Sequence, residues 1–222
     1  MINEGDLIAV AVSGGKDSLL LLRSLAQLRS YYPKKFELIA ITIDAGFPDT
    51  DFSGVSALCH DISVPYRIVE TNIKEIVFDI RRENNPCALC SKMRRGALNQ
   101  AIKSQGISKL ALGHNLDDAV ETFLMSLIFE GRINCFKPLT YLDRSDVWQI
   151  RPMIYAEEER IERICKELKL PVIESGCPED KESKRREIKE LIARLQTDYP
   201  DIKNKIFRAM QRLPLDGWGI EN

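Results

Sequence analysis

Residues 7–28 read LIAVAVSGGKDSLLLLRSLAQL, and this stretch decides the fold class. The run from Leu7 to Val12 is apolar and rich in β-branched residues, which predicts a buried strand. Leucines then recur at helical spacing between Leu19 and Leu28, and the glycine pair between the two runs is typical of a tight turn. We therefore predict a strand, a turn and a helix in this order.

The turn at 13–18 (SGGKDS) has the composition of a phosphate-binding loop. Glycine permits positive φ and close approach of a ligand, so successive backbone N–H groups at the helix start can bind an anion. Ser13 and Ser18 add hydroxyl donors and Lys16 adds positive charge. Asp17 would repel phosphate unless a divalent cation lay between them. The spacing matches neither G-x-x-x-x-G-K-[ST] nor G-x-G-x-x-G, which excludes those two common loops.

The composition is that of a globular protein with one large domain, or one domain with an appendage. The 222 residues are 44% hydrophobic and 29% charged, enough to bury a sizeable core. A net charge of −1 gives no global basic field, so contact with RNA must come from local basic patches. The sequence has no apolar run of membrane-spanning length and no signal peptide in MINEGDL. A cytoplasmic protein without a membrane partner is therefore expected.

Predicted strands and helices alternate along the first part of the chain, which predicts an α/β fold with a doubly wound parallel sheet. Ligands of such sheets lie beyond the carboxyl ends of the strands. Asp44, at the end of the second strand, is therefore a candidate residue of a nucleotide site. After the opening unit, strands are predicted at 36–43, 66–69 and 109–112, and helices at 58–62, 72–82 and 118–129.

From residue 134 the sequence changes to short extended pieces with proline and charged amphipathic helices. No linker-like composition separates this part from the rest. The predicted organisation is a nucleotide-binding core at 1–133 and a C-terminal helical extension at 134–222, packed on the core. Extended pieces are predicted at 136–139, 150–153 and 171–175, and helices at 156–168, 181–195 and 202–213.

A second polar motif, Leu112-Gly-His-Asn-Leu-Asp-Asp118, also joins a predicted strand to a helix. Gly113 permits close approach, and His114, Asp117 and Asp118 meet near the helix N-terminus. The two carboxylates suit Mg²⁺ held against phosphate oxygens. By itself the motif fits an N-cap and a structural histidine as well. Together with the loop at 13–18 it favours a magnesium–nucleotide site.

Cys87 and Cys90 form a C-x-x-C pair, the spacing of a zinc knuckle, a redox dithiol or part of an iron–sulfur site. Six cysteines in a chain without export signals favour metal or redox use over a disulfide framework. Two thiolates alone complete no metal site, so a further cysteine must contribute. A disulfide between the two cysteines is the alternative.

Cys177 is the best candidate for a third ligand, because it lies in the turn Ser-Gly-Cys-Pro at 175–178. Cys59 and Cys165 occupy apolar helical stretches and are predicted to be buried, whereas Cys135 is ambiguous. Three thiolates fit a cubane cluster with one open iron better than structural zinc, which takes four protein ligands. Basic residues flank both cysteine segments and could form a phosphate-binding rim or a solvated face. They are Arg81, Arg82, Arg94, Arg95, Lys181, Lys184, Arg185 and Arg186.

The ordered set SGGKDS, DAGFP, CALC, LGHNLDDAVETFLMSL and GCP, followed by a basic helix, resembles the tRNA 2-thiocytidine synthetase family. This family belongs to the PP-loop ATP pyrophosphatases, and the similarity runs over residues 4–213. The resemblance implies an adenine nucleotide alpha-hydrolase-like fold. It also implies an ATP-dependent sulfurtransferase that thiolates cytidine 32 of the tRNA anticodon loop through an adenylated intermediate, with a 4Fe–4S cluster held by three cysteines.

Site residues follow from these motifs. Nucleotide binding is expected of Ser13, Gly14, Gly15, Lys16, Asp17, Ser18, Asp44, Gly113 and His114. The resemblance assigns the 4Fe–4S cluster to Cys87, Cys90 and Cys177, Mg²⁺ to Asp17, Asp117 and Asp118, and catalytic roles to the three cysteines, Asp117 and Arg94.

Expected partners are tRNA and a sulfur donor, either a cysteine desulfurase or free sulfide, and a homodimer is possible. Family members commonly carry an additional N-terminal helical segment, whereas the first predicted strand here begins at Leu7. The alternatives are thiolation to 2-thiouridine, an amide-forming PP-loop ligase, and a non-catalytic nucleotide-binding iron–sulfur protein. The cysteine set disfavours the ligase, since amide ligation needs no thiolate cluster.

Overall fold

The computed structural model describes residues 1–48, 50–82, 86–173 and 184–212. The strands are β1 (Asp6–Ala11), β2 (Phe36–Asp44), β3 (Tyr66–Glu70), β4 (Lys109–Ala111), β5 (Leu139–Leu142) and β6 (Val147–Ile150). The helices are α1 (Lys16–Tyr31), α2 (Ser53–Asp61), α3 (Pro86–Lys103), α4 (Leu116–Glu130), α5 (Glu158–Glu167), α6 (Lys184–Asp198) and α7 (Ile202–Gln211). A π-helical segment, Glu75–Arg81, lies between β3 and α3.

The six strands form one sheet in the order β3-β2-β1-β4-β6-β5. Every neighbouring pair is parallel except β5 and β6, which are antiparallel. The predicted α/β fold with a doubly wound sheet is confirmed. Its purely parallel character needs one correction, because the short turn at 143–146 joins β5 and β6 as a hairpin and makes β5 an antiparallel edge.

The strand order reverses at β1, whose neighbours are β2 on one side and β4 on the other. A crevice for ligands forms at such a switch point, beyond the carboxyl ends of the strands. The sequence segments that follow β1 and β4 are the two polar motifs, at 13–18 and 113–118. The fold therefore brings the start of each motif to the same edge of the sheet.

The core lies on both faces of β1, which explains why Ile8, Ala9 and Val10 are apolar in succession and fully buried. Ile8 and Val10 pack with Leu19 and Leu22 of α1. Ala9, between them on the strand, belongs to the cluster on the opposite face. A strand buried on both sides needs no polar alternation, and the burial of its aliphatic side chains supplies most of the driving force for this packing.

Helix α3 was not predicted from the sequence. Its buried positions, which include Cys90, Leu98 and Ile102, do follow helical spacing. The basic residues between them obscured that pattern, because a C-x-x-C pair followed by a charge run can equally occur in a loop. The segment predicted as a regular helix at 72–82 is π-helical over Glu75–Arg81 and ends at Arg82 with φ of 45°.

Contacts divide the chain into two compact units. The first contains residues 1–115 and 137–180, and the second contains 116–136 and 181–222. This differs from the predicted division at 133/134, because β5 and β6 follow that point and still complete the sheet. Helix α4 contacts α6 and α7 in the second unit. Within the described residues, no helix is long and apolar enough to cross a membrane.

Candidate functional site

The loop between β1 and α1 is held closed by its own hydroxyl groups. The Ser18 hydroxyl accepts a hydrogen bond from the Ser13 backbone N–H at 3.1 Å and donates one to the Gly15 carbonyl at 2.9 Å. Gly14 has φ of +86°, a conformation that favours glycine. Gly15 is the N-cap of α1 and makes no side-chain cap hydrogen bond. The first-turn amides of α1 therefore face an anion site without competition from a capping side chain.

Lys16 and Asp17 begin α1 and form a small charge network. The Lys16 ammonium contacts Glu158 Oε1 at 2.7 Å and Asp17 Oδ2 at 3.0 Å. The other oxygen of Asp17 accepts a hydrogen bond from the Asn115 amide at 2.9 Å. Partial burial lowers the pKa of Lys16, but the hydrogen bonds and charges of Glu158 and Asp17 outweigh that effect and raise it well above its ordinary value. Sequence reasoning singled out neither Glu158 nor Asn115.

Gly113, directly after β4, packs against the backbone at the start of α1. A Cβ at this position would lie 3.1 Å from the carbonyl carbon of Asp17 and from the nitrogen of Ser18. Only glycine allows so close an approach without a shift of the backbone. Together with the Asn115–Asp17 hydrogen bond, this contact confirms the predicted meeting of the two strand ends over residues 113–115.

A cavity of about 510 Å³ opens at this edge of the sheet, a volume within the range of small-molecule sites. Four of the residues predicted to bind the nucleotide line it: Ser13, Gly15, Asp44 and His114. Apolar walls come from strand residues such as Ile41, Ile43 and Leu110, and three guanidinium groups also line it. Those groups belong to Arg94, Arg95 and Arg151.

The guanidinium of Arg94 carries a buried donor without an acceptor. Its Nε atom is buried and has no hydrogen-bond partner among the described residues. Buried donors in folded proteins are nearly always paired, so a missing acceptor beside a cavity indicates a ligand with oxygen or phosphate groups. The predicted assignment of Arg94 to the site agrees with this position, while its catalytic role stays a prediction.

Arg151, which sequence reasoning missed, follows β6 and is only 5% exposed. Its Nε donates to His114 Nδ1 at 3.1 Å, and its Nη1 donates to the Lys137 carbonyl at 2.6 Å. Its Nη2 donates to the Gln149 side-chain oxygen at 3.3 Å. Arg151 thus ties the end of β6 to the end of β4 inside the cavity wall.

Cys87 and Cys90 lie three residues apart on α3 and therefore share one helical face. Cys87 is exposed and Cys90 is buried. The third predicted ligand, Cys177, lies outside the described residues. Over the described part of the chain, no group of three His, Cys, Asp or Glu side chains is placed to hold a metal ion. The pair fits two of the three thiolates that a cluster with one open iron needs.

The remaining cysteines of the first unit behave as predicted. Cys59 and Cys165 are both buried, and burial raises the pKa of each thiol, to about 11 for Cys59. Cys135, in the second unit, is half-buried and donates a hydrogen bond to the Ala119 carbonyl at 3.4 Å. These environments are those of unreactive thiols.

In the second unit, the acidic residues at the start of α4 are engaged in ion pairs. Asp117 contacts the Lys203 ammonium of α7 at 2.6 Å, and Asp118 contacts Arg185 Nη1 of α6 at 2.6 Å. Glu121, one turn on, also contacts Arg185, at 3.3 Å. These carboxylates hold α4 against its neighbouring helices. Their expected contact with Mg²⁺ stays a prediction.

A basic stripe, defined as Lys205, Arg208 and Arg212, runs from the first half of α7 to the residue just after it. All three residues are exposed, and helical spacing places them on one face. Residues 184–212 carry 9 Lys and Arg against 4 Asp and Glu, whereas the whole chain has 32 and 33. Sequence reasoning missed the stripe. It had favoured Arg185 and Arg186, which make ion pairs with Asp118 and Glu190.

Comparisons with known proteins place these features in a family. The PP-loop domain model matches residues 3–196. A tRNA-cytidine(32) 2-sulfurtransferase of Geobacter sulfurreducens is 36% identical over 213 residues, which are 95% of this chain and 83% of that protein. The same-named protein of Pelobacter propionicus is 37% identical over 216 residues, 96% of this chain and 80% of that protein.

Two solved structures are also similar. The U34-tRNA thiolase NcsA from Methanococcus maripaludis, with its [4Fe-4S] cluster, matches with a TM-score of 0.79 and 27% identity, over 95% of this chain and 72% of that one. A phosphoadenylyl-sulfate reductase from Candida auris shares the fold alone, with a TM-score of 0.51 and 12% identity. The chain belongs to the tRNA-cytidine(32) 2-sulfurtransferase family of PP-loop proteins.

Proposed function

We propose that this protein is an ATP-dependent tRNA sulfurtransferase that converts cytidine 32 of the anticodon loop to 2-thiocytidine. ATP activates the C2 oxygen of the base as an adenylate and releases pyrophosphate. Sulfide then attacks C2, the bond between C2 and the adenylated oxygen breaks, and AMP leaves with that oxygen. The relatives at 36–37% identity carry this activity in their names, and the phosphate loop and the cysteine pair of this chain support the proposal.

One observation carries the proposal: helix α3 joins the cysteine pair to the nucleotide cavity. Ser91, Arg94 and Leu98 of α3 line the cavity with the loop residues Ser13 and Gly15. Helical periodicity places Cys87 and Cys90 on the same stripe, one to two turns toward the N-terminus. A base bound beyond Arg94 is thus within reach of both the nucleotide and the thiolates.

The chain's own residues account for the activation step. The amides of the loop and of the first turn of α1 bind the ATP phosphates, and Lys16 adds a charge that stays positive because its pKa is raised. Asp17 is the first candidate for Mg²⁺, since its side chain is 29% exposed. Mg²⁺ held there would compete with the Lys16 ammonium for Asp17 Oδ2, while Glu158 would still contact that ammonium.

The cysteines account for the second step. A 4Fe–4S cluster on Cys87, Cys90 and Cys177 supplies, when bound, the sulfur-handling chemistry of the transfer. We assign to Arg94 the stabilisation of the negative charge that develops on the activated phosphate. Its buried Nε has no acceptor among the described residues and can donate to that phosphate. Asp117 and Asp118 are kept as further candidate Mg²⁺ contacts.

The basic stripe Lys205, Arg208 and Arg212 is the surface to which we assign the tRNA backbone. Its three cations extend over about 10 Å at 1.5 Å per residue, which suits two successive phosphates. The helix that carries it, Ile202–Gln211, contains no acidic residue, so no carboxylate within it opposes the polyanion.

The proposal extends to partners and location. The sulfur comes from a cysteine desulfurase or from free sulfide, the protein acts in the cytoplasm where tRNA is modified, and a homodimer is a possible assembly. These points rest on the chemistry of the reaction and on the expected substrate.

The first experiment purifies the wild type and Cys177→Ala without oxygen and counts iron and sulfide per chain. Each protein is then incubated with ATP, Mg²⁺, sulfide and unmodified tRNA, and the nucleosides are identified by mass spectrometry. About four irons and 2-thiocytidine are expected for the wild type, and loss of both for Cys177→Ala. Cys135→Ser is the matched control and keeps both. Zinc alone, or a cysteine-independent product, contradicts the proposal.

A second candidate product is 2-thiouridine, because the U34-tRNA thiolase matches with a TM-score of 0.79. The same nucleoside analysis separates the two, since the thiolated bases differ in mass. Thiolation of a uridine, with no thiolation of cytidine 32, would show that 2-thiouridine is the product and would contradict the first proposal.

The tRNA surface has its own test. Substitution of Lys205, Arg208 and Arg212 with Gln should weaken tRNA binding. It should also reduce the magnitude of the slope of log affinity against log salt concentration by about 2 to 3. The matched control places Gln at Arg160, Arg163 and Lys166 of α5, which are also exposed on one helix. Equal loss in both variants contradicts a specific surface.

A further inference from the structure

Arg151 donates a hydrogen bond to His114, and this contact determines which nitrogen of the imidazole carries a proton. The donor is Arg151 Nε, and the acceptor is His114 Nδ1 at 3.1 Å. A guanidinium stays protonated in proteins and has donors only. Nδ1 must therefore present its lone pair, and the proton of the neutral ring resides on Nε2.

The guanidinium is rigidly held, so this orientation is not accidental. Besides His114, it donates to the carbonyl of Lys137 at 2.6 Å, the hydroxyl of Thr140 at 3.4 Å and the amide oxygen of Gln149 at 3.3 Å. The side chain is almost fully buried. A planar guanidinium fixed by these three acceptors leaves Nε one direction in which to donate.

Strand pairing builds the contact. β4 and β6 are parallel neighbours, with Ala111 opposite Ile150. The Leu112 backbone N–H then donates to the Ile150 carbonyl at 3.0 Å. Arg151 and His114, which follow these positions, both line the cavity. The antiparallel hairpin β5–β6 thus brings Arg151 to the site, while β5 and the segment before it supply two of its acceptors.

We propose that Arg151 is a positioning residue that fixes His114 as the Nε2–H tautomer, so that the imidazole serves the site as a hydrogen-bond donor. Its partner class is an oxygen acceptor of the substrates, either a phosphate oxygen of ATP or a carbonyl oxygen of the nucleobase. A ring in this state cannot take a proton at Nε2, so His114 is not the general base of the reaction. The inference rests on the proposed function only for the identity of these substrates.

The chain is well suited to a direct test, because it has only two histidines. The other, His60, has a side chain that is 91% exposed and serves as an internal reference. Protein labelled with ¹⁵N at histidine is studied by long-range ¹H–¹⁵N correlation, in which protonated and unprotonated ring nitrogens are well separated. His60→Gln assigns the signals.

The expected wild-type spectrum shows His114 as a single Nε2–H tautomer at pH 8, with His60 averaging between tautomers. Arg151→Gln should lose this preference. Arg29→Gln is the matched control, because Arg29 also donates to two backbone carbonyls, those of Ile62 and Ser63, but does not line the cavity. An Nδ1–H tautomer in the wild type, or an unchanged His114 signal in Arg151→Gln, overturns the inference.

Two further arms complete the test. In the first, a non-hydrolysable ATP analogue is added alone and then with unmodified tRNA. A shift of the His114 Nε2 signal with the analogue alone identifies a phosphate oxygen as the acceptor, and a shift only after tRNA is added identifies the nucleobase carbonyl. Thiolation by Arg151→Gln should fall by about 10- to 100-fold, as is typical when the group that orients a histidine is lost, and Arg29→Gln should stay within about twofold.

If Arg151→Gln does not fold, Arg151→Lys and the wild-type spectrum decide, since the tautomer is read in the native protein. The spectroscopic result does not depend on turnover. A fixed Nε2–H tautomer in a protein that thiolates no tRNA would therefore contradict the proposed function and leave the inference standing. Thiolation by a protein whose His114 has no fixed Nε2–H tautomer would contradict the inference alone.

Discussion

Asp17 and Asp117 occupy similar places in the sequence but different environments in the structure. Each follows a strand and a glycine-containing turn, and each lies in the first turn of a helix. The Asp17 side chain is 29% exposed and contacts Lys16 and Asn115 beside the phosphate loop. The Asp117 side chain is 5% exposed and contacts Lys203, which comes from α7.

The difference teaches that a carboxylate at a helix start has two distinct uses. Asp17 begins a helix beside a loop that is organised by its own hydroxyls, and its partly exposed carboxylate contacts Lys16 and Asn115 of the same unit. Asp117 is buried with a lysine that is distant in sequence, so its charge contributes to how α4 and α7 pack. Four predictions test how far this contrast extends.

The largest effect is expected for Asp17→Asn. Loss of the carboxylate should reduce thiolation by about 100- to 1000-fold, because the side chain proposed to hold Mg²⁺ against the reacting phosphates is lost. The free energy of unfolding should change little, since the side chain is partly exposed. Steady-state thiolation and urea unfolding measure the two. A large loss of stability with normal activity would reverse the contrast.

Lys203→Met should destabilise the protein by about 3 kcal/mol, because it leaves the Asp117 carboxylate buried and unpaired with this lysine. Urea unfolding measures the change. The double variant Lys203→Met with Asp117→Asn should recover a large part of it. Lys203→Met retains the Asp117 carboxylate and the double variant does not. A comparison of thiolation by the folded fractions of these two variants therefore tells whether Asp117 also acts in the reaction. Additive effects in the double variant would contradict a direct pair.

A smaller effect is expected for Arg185→Gln. Arg185 contacts Asp118 at 2.6 Å and Glu121 at 3.3 Å, but its side chain and that of Asp118 are more exposed than the Asp117 pair. The buried Glu121 keeps a second cation, Lys189, at 3.6 Å. Exposed ion pairs contribute up to about 1 kcal/mol and weaken with salt. Unfolding at low and high salt checks this, and a cost equal to that of Lys203→Met would remove the distinction between the two pairs.

The smallest effect concerns pH. Because the folded-state pKa of Lys16 is raised, its ion pairs stabilise the fold fully below the ordinary lysine pKa of 10.5 and are lost as the pH rises through the folded value. Affinity for ATP, measured by calorimetry at pH 7, 8 and 9, should therefore show no contribution from Lys16 titration. Lys16→Gln provides the reference profile. A drop in wild-type affinity that is absent in Lys16→Gln would show that Lys16 loses its proton in this range.

Much of the fold was predictable because its signals are local. The apolar run and glycine turn at 7–28 predicted β1, the loop and α1, and the repeated strand–helix alternation predicted the sheet. Local pattern also located Asp44, Gly113 and His114 near one edge. Helix α3 was not predicted, because basic residues interrupt its apolar positions.

The missing parts of the site depend on contacts between distant residues. Glu158 reaches Lys16 across 142 positions, and Lys203 reaches Asp117 across 86. Arg151 is brought to His114 by the pairing of β4 with β6, which no short motif encodes. Charge alone could not reveal these roles, because the same residue types also occur on solvated helix faces.

The order of elements along the chain has a consequence for how the protein emerges from the ribosome. β4 is an interior strand, yet β6, its neighbour, is synthesised only after α4. Until residue 150 has emerged, β4 exposes an unpaired edge, and α4 awaits partners that begin at residue 184. Both units are discontinuous, but the last segment of the first unit ends at residue 180, so that unit can complete its core before α6 and α7 of the second have emerged. Until residue 150 has emerged, the nascent chain therefore exposes an unpaired strand edge and an unpartnered helix at the same time. Chaperone binding is most useful during this period.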